Sequence, residues 1–210
     1  MIRILLADDH SMFREGIKQV LGRHADMAIV AEAGDGHQAL SKIRDTELDV
    51  VLLDISMPGL SGLDILRDIV LERPRVAVLI LSMHPEEQYA VRVLKAGAAG
   101  YLTKESAAED LVAAIRTVAA GGTYVTPALA KTLASILRSE WGTLPHQLLS
   151  DREFQVMRML ALGNKICEIA DELCLSEKTI STYRARVLDK MKLRTTVDIT
   201  RYALRHRLID

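Results

Sequence analysis

The sequence lacks the features that mark secreted, disulfide-stabilised or membrane-spanning proteins. Its only two cysteines in 210 residues are Cys167 and Cys174. On the helix predicted there, their Cα atoms would lie about 10 Å apart, too far for a disulfide. We expect both to be small core residues, with a redox-sensing pair as the alternative. No apolar run approaches the ~20 residues of a transmembrane helix. Because Met1-Ile2-Arg3 enters a strand pattern without a signal-peptide pattern, we predict a cytoplasmic protein.

Charge is nearly balanced overall but unevenly distributed along the chain. The formal net charge is -1, and 49% hydrophobic with 26% charged residues is a globular composition. Residues 1–121 carry 13 Lys/Arg against 18 Asp/Glu, whereas residues 178–207 carry nine Lys/Arg against two Asp. The length suffices for two domains. An acidic first half and a basic tail predict a regulatory domain followed by a nucleic-acid-binding domain.

The chain is organised around a short apolar segment that ends in a carboxylate. Residues 50–53 are four apolar residues in succession, which is typical of a parallel strand buried on both faces, and Asp54 follows them. In open α/β sheets, ligands gather beyond the carboxyl ends of the strands. Three other predicted strands also end in polar residues, namely Asp8 with Asp9, Ser82, and Lys104. We therefore predict that these five side chains meet in one pocket.

Three carboxylates in one pocket require a compensating cation, because neighbouring like charges raise one another's pKa. Oxygen ligands from carboxylates, a backbone carbonyl and water suit Mg²⁺, which commonly shares its shell with a phosphate. Asp54 can then act as a nucleophile toward phosphorus. Lys104 can neutralise charge on the transferred group, and Ser82 can donate a hydrogen bond to a phosphoryl oxygen.

Alternating strand and helix patterns predict the fold of residues 1–121. Five strand segments alternate with five amphipathic helical segments, which with right-handed crossovers gives an α/β, doubly wound, five-stranded parallel sheet of flavodoxin-like order. Residues 122–147 contain Pro127, Gly142 and Pro145 around one short helical stretch and predict a linker. Residues 148–210 predict a small all-α domain of four short helices that includes a helix-turn-helix.

The first domain resembles the receiver domain of two-component response regulators. The residues that carry this resemblance are Asp8-Asp9, Asp54 followed by Met57-Pro58-Gly59, Ser82, and the run at 95–104 that ends in Gly-Tyr-Leu-Thr-Lys. The resemblance implies that a sensor histidine kinase phosphorylates Asp54, with Mg²⁺ held by Asp8, Asp9, Asp54 and the Ser56 carbonyl. It also implies a switch in which Ser82 moves inward and Tyr101 rotates from exposed to buried. Ser56 and His84 would flank the phosphoryl group and set its lifetime.

The last domain is similar to the LuxR-type DNA-binding domains. Ser150-Asp151-Arg152-Glu153 is a capping-box start, Glu168-Ile169-Ala170 lies in the next helix, and Leu175-Ser176-Glu177-Lys178-Thr179 begins a recognition helix. Together the two resemblances indicate the NarL/FixJ class. Relatives commonly have Ser-Asn-Lys where this chain has Lys165-Ile166-Cys167, so the phosphate contacts that the resemblance would imply for that helix start are not carried over to this chain. The candidate DNA-contacting residues are Lys178, Ser181, Thr182, Tyr183, Arg184, Arg186, Lys190 and Lys192.

The class implies a transcriptional regulator that is not a turnover enzyme. Its partners would be a cognate histidine kinase, double-stranded DNA bound by a homodimer, and RNA polymerase. Two alternative functions stay open at this point. One is a receiver that acts without phosphorylation, through constitutive dimerisation or protein recruitment. The other is an Asp-dependent phosphatase or phosphomutase, which needs a second carboxylate two residues after the nucleophile, where this chain has Ser56.

The histidines are not predicted to bind metal. They show no paired ligand spacing, so surface or partly buried positions are expected for His10, His24, His37 and His206.

Overall fold

The computed structural model describes residues 1–57, 60, 62–138 and 144–209. Within it the chain falls into two compact units that divide between Ala134 and Ser135. The predicted Pro58-Gly59 turn and residues 139–143 of the predicted linker lie outside the described residues. The domain boundaries predicted after residues 121 and 147, on either side of the linker, stay predictions. In the described part of the chain, none of the helices combines the length and apolar character that crossing a bilayer requires.

A five-stranded parallel sheet forms the centre of the first unit. The strands are β1 (Ile2–Ala7), β2 (Met27–Ala33), β3 (Val50–Asp54), β4 (Ala77–Ser82) and β5 (Gly100–Thr103). Their order is β2-β1-β3-β4-β5, and each neighbouring pair is parallel. Every residue of β3 is buried because helices cover both faces of the sheet. The predicted doubly wound, flavodoxin-like sheet is confirmed.

Five helices alternate with these strands and bury apolar faces against them. They are α1 (Ser11–Leu21), α2 (Gly36–Asp45), α3 (Gly62–Glu72), α4 (Glu86–Lys95) and α5 (Ala108–Ala119). On α5 the buried positions Leu111, Ile115 and Val118 recur at helical spacing. Gly62 begins α3 directly against β3, where a Cβ atom would lie 2.3 Å from the Asp54 carbonyl oxygen. A side chain at residue 62 would therefore displace the strand end that carries Asp54.

The segment after α5 continues along the open edge of β5. Tyr124 forms an isolated parallel bridge with Gly100, and its backbone N–H donates to the Ala99 carbonyl at 2.8 Å. The Thr126 hydroxyl donates to Glu86 Oε2 at 2.5 Å and accepts from the Leu129 N–H at 3.2 Å. Thr126 thus ties the first turn of α6 (Pro127–Arg138) to the start of α4.

The second unit contains short helices, three of which are capped by a side chain. A 3-10 turn at Pro145–Leu148 precedes α7 (Asp151–Ala161), α8 (Ile166–Glu172), α9 (Glu177–Met191) and α10 (Thr196–Arg205). The predicted capping box of Ser150 and Glu153 is confirmed, and Ser176 and Thr195 cap α9 and α10 through their side chains. The predicted all-α unit with a helix-turn-helix is confirmed.

The prediction of two core cysteines is wrong. Cys167 and Cys174 are both exposed. On α8 the buried positions are Ile169 and Ala170, so Cys167 lies on the outer side of the helix. Cys174 stands in the turn between α8 and α9 with φ of 53°, a left-handed conformation that few non-glycine residues adopt.

Candidate functional site

The ends of β1 and β3 and the residue after β5 bring three charged side chains together. Asp54 ends β3 and Asp8 follows β1, and each is 1% exposed. Lys104 Nζ lies 2.7 Å from Asp54 Oδ2 and 2.6 Å from Asp8 Oδ2, with its side chain 4% exposed. Asp9 stands beside Asp8 and is partly exposed. We refer to Asp8, Asp9, Asp54 and Lys104 as the acidic pocket.

The electrostatics of the acidic pocket follow from burial and from the Lys104 contacts. Burial raises the pKa of Asp54 above its ordinary value, and hydrogen bonds from Lys104 and the Ser56 N–H offset only part of this effect. Burial lowers the pKa of Lys104, but its hydrogen bonds to Asp54 and Asp8 outweigh burial and raise it overall. Lys104 therefore stays charged and is the internal counter-ion of two buried carboxylates.

The carboxylate oxygens of the acidic pocket fit a divalent cation. Single donor atoms from Asp8, Asp9, His10 and Asp54 all lie within 4.8 Å of one another. Hard carboxylate oxygens in this arrangement suit Mg²⁺. His10 was not among the predicted ligands, although its position directly after Asp8-Asp9 was the available signal. Its Nδ1 lies 2.7 Å from Asp9 Oδ1 and 3.3 Å from Asp8 Oδ1.

Ser82 and Tyr101 both contact His84. Ser82 is fully buried at the end of β4, and its hydroxyl accepts a hydrogen bond from the His84 N–H at 3.1 Å. The Tyr101 hydroxyl donates to the His84 carbonyl at 2.6 Å, and its ring is fully buried. Tyr101 therefore occupies the buried position of the predicted switch. The rotation itself stays a prediction.

The two residues predicted to flank a phosphoryl group have different surroundings. Ser56 is exposed, and its backbone N–H donates to Asp54 Oδ1 at 3.0 Å. The His84 ring stacks on the Tyr89 ring of α4, with centroids 5.0 Å apart. Their predicted effect on phosphoryl lifetime stays a prediction.

The α9 helix presents several of the predicted DNA-contacting residues to solvent. Those exposed are Lys178, Ser181, Thr182, Arg186, Lys190 and Lys192, whereas Tyr183 and Arg184 are half-buried. Arg184 Nε donates to Thr196 Oγ1 of α10 at 3.2 Å. Lys190 Nζ lies 2.6 Å from Glu153 Oε2, which is buried at the start of α7. Burial raises the pKa of Glu153, but the hydrogen bonds from Lys190 and Ser150 lower it overall.

Comparison with known proteins assigns both units. Residues 4–116 match the response regulator receiver domain, and residues 147–203 match the bacterial regulatory proteins of the luxR family. The chain is 38% identical to the response regulator GacA of Pseudomonas viridiflava over 100% of this chain and 99% of GacA. It is 39% identical to the response regulator UvrY of Escherichia coli K12, over 100% and 97%.

The overall structure also has a solved counterpart. The RcsB response regulator of Salmonella typhimurium superimposes with a TM-score of 0.61 at 25% identity, over 97% of this chain and 98% of RcsB. A receiver domain followed by a luxR-type domain defines the class of the protein. The chain belongs to the two-component response regulators of the NarL/FixJ class. It is a DNA-binding regulator of transcription, and the alternative that works without phosphorylation is not favoured.

Proposed function

We propose that Asp54 accepts a phosphoryl group from a sensor histidine kinase and that this event controls DNA binding. The supporting observation is the contact of Lys104 Nζ with Asp54 at 2.7 Å and with Asp8 at 2.6 Å, in a pocket formed at three strand ends. An Asp54 carboxylate oxygen bonds to phosphorus while the bond from phosphorus to the kinase histidine breaks. Lys104 is placed to neutralise charge on the transferred group.

Mg²⁺ is the proposed cofactor. Carboxylates of Asp8, Asp9 and Asp54 and the backbone carbonyl of Ser56 would hold it, and the bound ion would supply positive charge for the phosphoryl oxygens. The convergence of three carboxylate donors supports this ligand set. We propose a stoichiometric acceptor and not a turnover enzyme, because the residue two positions after Asp54 is Ser56, which offers no carboxyl proton.

The proposed switch runs through His84. The Ser82 hydroxyl accepts from the His84 N–H, and the Tyr101 hydroxyl donates to the carbonyl of the same residue. If the Ser82 side chain rotates so that its hydroxyl oxygen moves toward a phosphoryl group on Asp54, the His84 N–H loses this acceptor and must find another. The Tyr101 contact then shifts with it, which changes the population of two packings of the α4 and β5 surface.

The first test is site-specific phosphorylation. Incubation with acetyl phosphate and Mg²⁺ should add the mass of one phosphoryl group to the intact protein, and mapping should place it on Asp54. Asp54→Asn should show no addition, because the amide is not a nucleophile toward phosphorus. Asp45→Asn, at an exposed position at the end of α2, is the matched control and should be labelled like the unaltered protein. Full labelling of Asp54→Asn would refute the proposal.

For the second unit, we propose that α9 enters the major groove of DNA. Two copies on half-sites about one helical turn apart would each present one α9 helix. Lys178, Arg186 and Lys192 are exposed cations for phosphates, and Ser181 and Thr182 are candidates for base edges. The similar response regulator RcsB interacts with DNA, which supports the proposal. A contact with RNA polymerase is a further proposal that rests on the transcriptional role.

Substitutions of Lys178 and Lys190 should change the salt dependence of DNA binding differently. Lys178 is exposed, whereas Lys190 forms an ion pair with Glu153. Lys178→Ala should weaken DNA binding and reduce the slope of log K against log salt by about 0.9, the value for one lost phosphate contact. Lys190→Met should leave the slope unchanged, because Lys190 is bound to the buried Glu153 carboxylate. Lys190→Met should instead lower the melting temperature of the second unit. Equal loss of slope in both variants would assign Lys190 a phosphate contact.

A further inference from the structure

We propose that Arg14 is a positioning residue for the phosphorylation of Asp54, because its guanidinium fixes the peptide that joins Asp8 to Asp9. Arg14 lies on α1, outside the acidic pocket, and acts on it through the main chain. The inference rests on the proposed function, since it concerns how the two adjacent carboxylates are held for Mg²⁺ in that reaction.

Arg14 binds the main chain between two carboxylates of the acidic pocket. Its Nη1 donates to the Asp8 carbonyl at 2.6 Å. This carbonyl shares a planar peptide unit with the Asp9 N–H, so a hydrogen bond to it fixes the direction in which the chain enters Asp9. The Asp8 N–H is held as well, because it donates to the Ala33 carbonyl of β2 at 3.0 Å. Arg14 therefore restricts the positions that the Asp9 carboxylate can take relative to Asp8.

An ion pair with β2 holds the Arg14 side chain in place. Its Nε lies 3.4 Å from Glu32 Oε2, and only 20% of the Arg14 side chain is exposed. Glu32 Oε1 accepts from Lys18 Nζ at 3.0 Å. The hydrogen bond from Lys18, with a smaller contribution from Arg14, holds the pKa of Glu32 below its ordinary value although burial raises it. Glu32 therefore stays ionised at neutral pH and provides Arg14 with a fixed anchor on the neighbouring strand.

The charge of Arg14 separates a positioning role from an electrostatic one. A guanidinium near the carboxylates repels Mg²⁺, so its removal would by charge alone tighten Mg²⁺ binding. Loss of the hydrogen bond to the Asp8 carbonyl has the opposite effect, because the two carboxylates then lose their fixed separation. Residues that orient metal ligands from outside the ligand set typically change metal affinity by about 10–100-fold. We therefore expect the positioning effect to exceed the charge effect, which salt and water screen.

The test combines two measurements on the full-length chain. Calorimetry gives the Mg²⁺ affinity of the unphosphorylated protein, and intact mass gives the rate of Asp54 labelling by acetyl phosphate at increasing Mg²⁺. Arg14→Met removes the donor, whereas Arg14→Lys keeps a donor and the charge. Arg23→Met, at an exposed position just after α1, is the matched control for loss of a cation. Thermal unfolding shows that each variant is folded at the temperature of the titration.

Arg14→Met should weaken Mg²⁺ binding by about tenfold and raise the Mg²⁺ concentration for half-maximal labelling by the same factor. The labelling rate at saturating Mg²⁺ should be unchanged, because neither Lys104 nor Asp54 is altered. Arg14→Lys should recover most of the Mg²⁺ affinity, since its ammonium can donate to the Asp8 carbonyl. Arg23→Met should behave like the unaltered protein.

Glu32→Gln is a second, milder test that leaves Arg14 in place but removes the carboxylate that anchors it. It should weaken Mg²⁺ binding less than Arg14→Met does. The double variant should bind Mg²⁺ no more weakly than Arg14→Met alone, because the two residues act through one contact. Glu15→Gln, which removes another carboxylate that contacts Lys18, is the charge control and should leave the Mg²⁺ affinity unchanged.

Mg²⁺ binding by Arg14→Met that is as tight as in the unaltered protein, or tighter, would overturn the inference. So would a lower labelling rate at saturating Mg²⁺ with an unchanged Mg²⁺ midpoint. If Arg14→Met does not fold, equal Mg²⁺ affinities of Glu32→Gln and Glu15→Gln would overturn it instead. In all three cases the proposed function stands as long as the unaltered protein is labelled on Asp54. Absence of that labelling would defeat the proposed function itself.

Discussion

Replacement of Lys104 with methionine should lower the free energy of unfolding of the first unit by about 3–5 kcal/mol in metal-free buffer. The ammonium is the counter-ion of Asp8 and Asp54, and all three side chains are almost fully buried. Methionine keeps the length of the side chain but leaves two facing carboxylates without a cation. The measurement is denaturant unfolding, monitored by a probe of the first unit.

The same variant should bind divalent ions more tightly and recover much of its stability when Mg²⁺ is added, because an ion then replaces the lost positive charge. Lys95→Met, at an exposed position at the end of α4, is the matched control. It should change neither the free energy of unfolding nor the affinity for divalent ions. If Lys104→Met were as stable as the parent without metal, the pairing in the acidic pocket would contribute nothing to the fold.

Replacement of Phe154 with alanine should destabilise the second unit by about 3–5 kcal/mol, enough to abolish DNA binding. Phe154 lies on α7 and is 1% exposed, among the largest fully buried side chains of the chain. The first unit has its own core around its sheet, so it should remain folded. Thermal unfolding and labelling by acetyl phosphate should show loss of the second unit with Asp54 still reactive.

The control for Phe154→Ala is Leu162→Ala, at an exposed position directly after α7. It should leave the unfolding of the second unit nearly unchanged, since little apolar surface is uncovered. Loss of Asp54 labelling in Phe154→Ala would show that the two units do not fold independently.

Much of the fold and the acidic pocket could be predicted because periodicity and strand ends are local properties of the sequence. Residues 50–53 are apolar without interruption because β3 is the central strand and both of its faces are covered. Parallel strands bring their carboxyl ends to one edge, which is why Asp8, Asp54 and Lys104 meet although they are far apart in the sequence. Three of the four helices of the second unit, α7, α9 and α10, were predictable from their caps at Ser150, Ser176 and Thr195.

The contacts that could not be predicted from the sequence depend on the orientation of individual side chains. The Lys190–Glu153 ion pair joins two helices, and nothing in the basic pattern of α9 shows that Lys190, unlike the other exposed cations of this helix, contacts a buried carboxylate. The exposure of Cys167 depends on which side of α8 packs inward, and a seven-residue helix is too short for periodicity to decide. The contact of His10 Nδ1 with Asp9 Oδ1 at 2.7 Å depends on how the chain turns between β1 and α1.

The central claim is that chemistry at Asp54 controls DNA binding by α9. The most direct measurement is DNA affinity with and without acetyl phosphate and Mg²⁺, using fragments selected from a random pool by the protein itself. The account predicts that the phosphodonor changes the affinity of the unaltered protein and of Asp45→Asn, and leaves that of Asp54→Asn unchanged. An equal change in Asp54→Asn, or none in the unaltered protein once Asp54 is fully labelled, would contradict it.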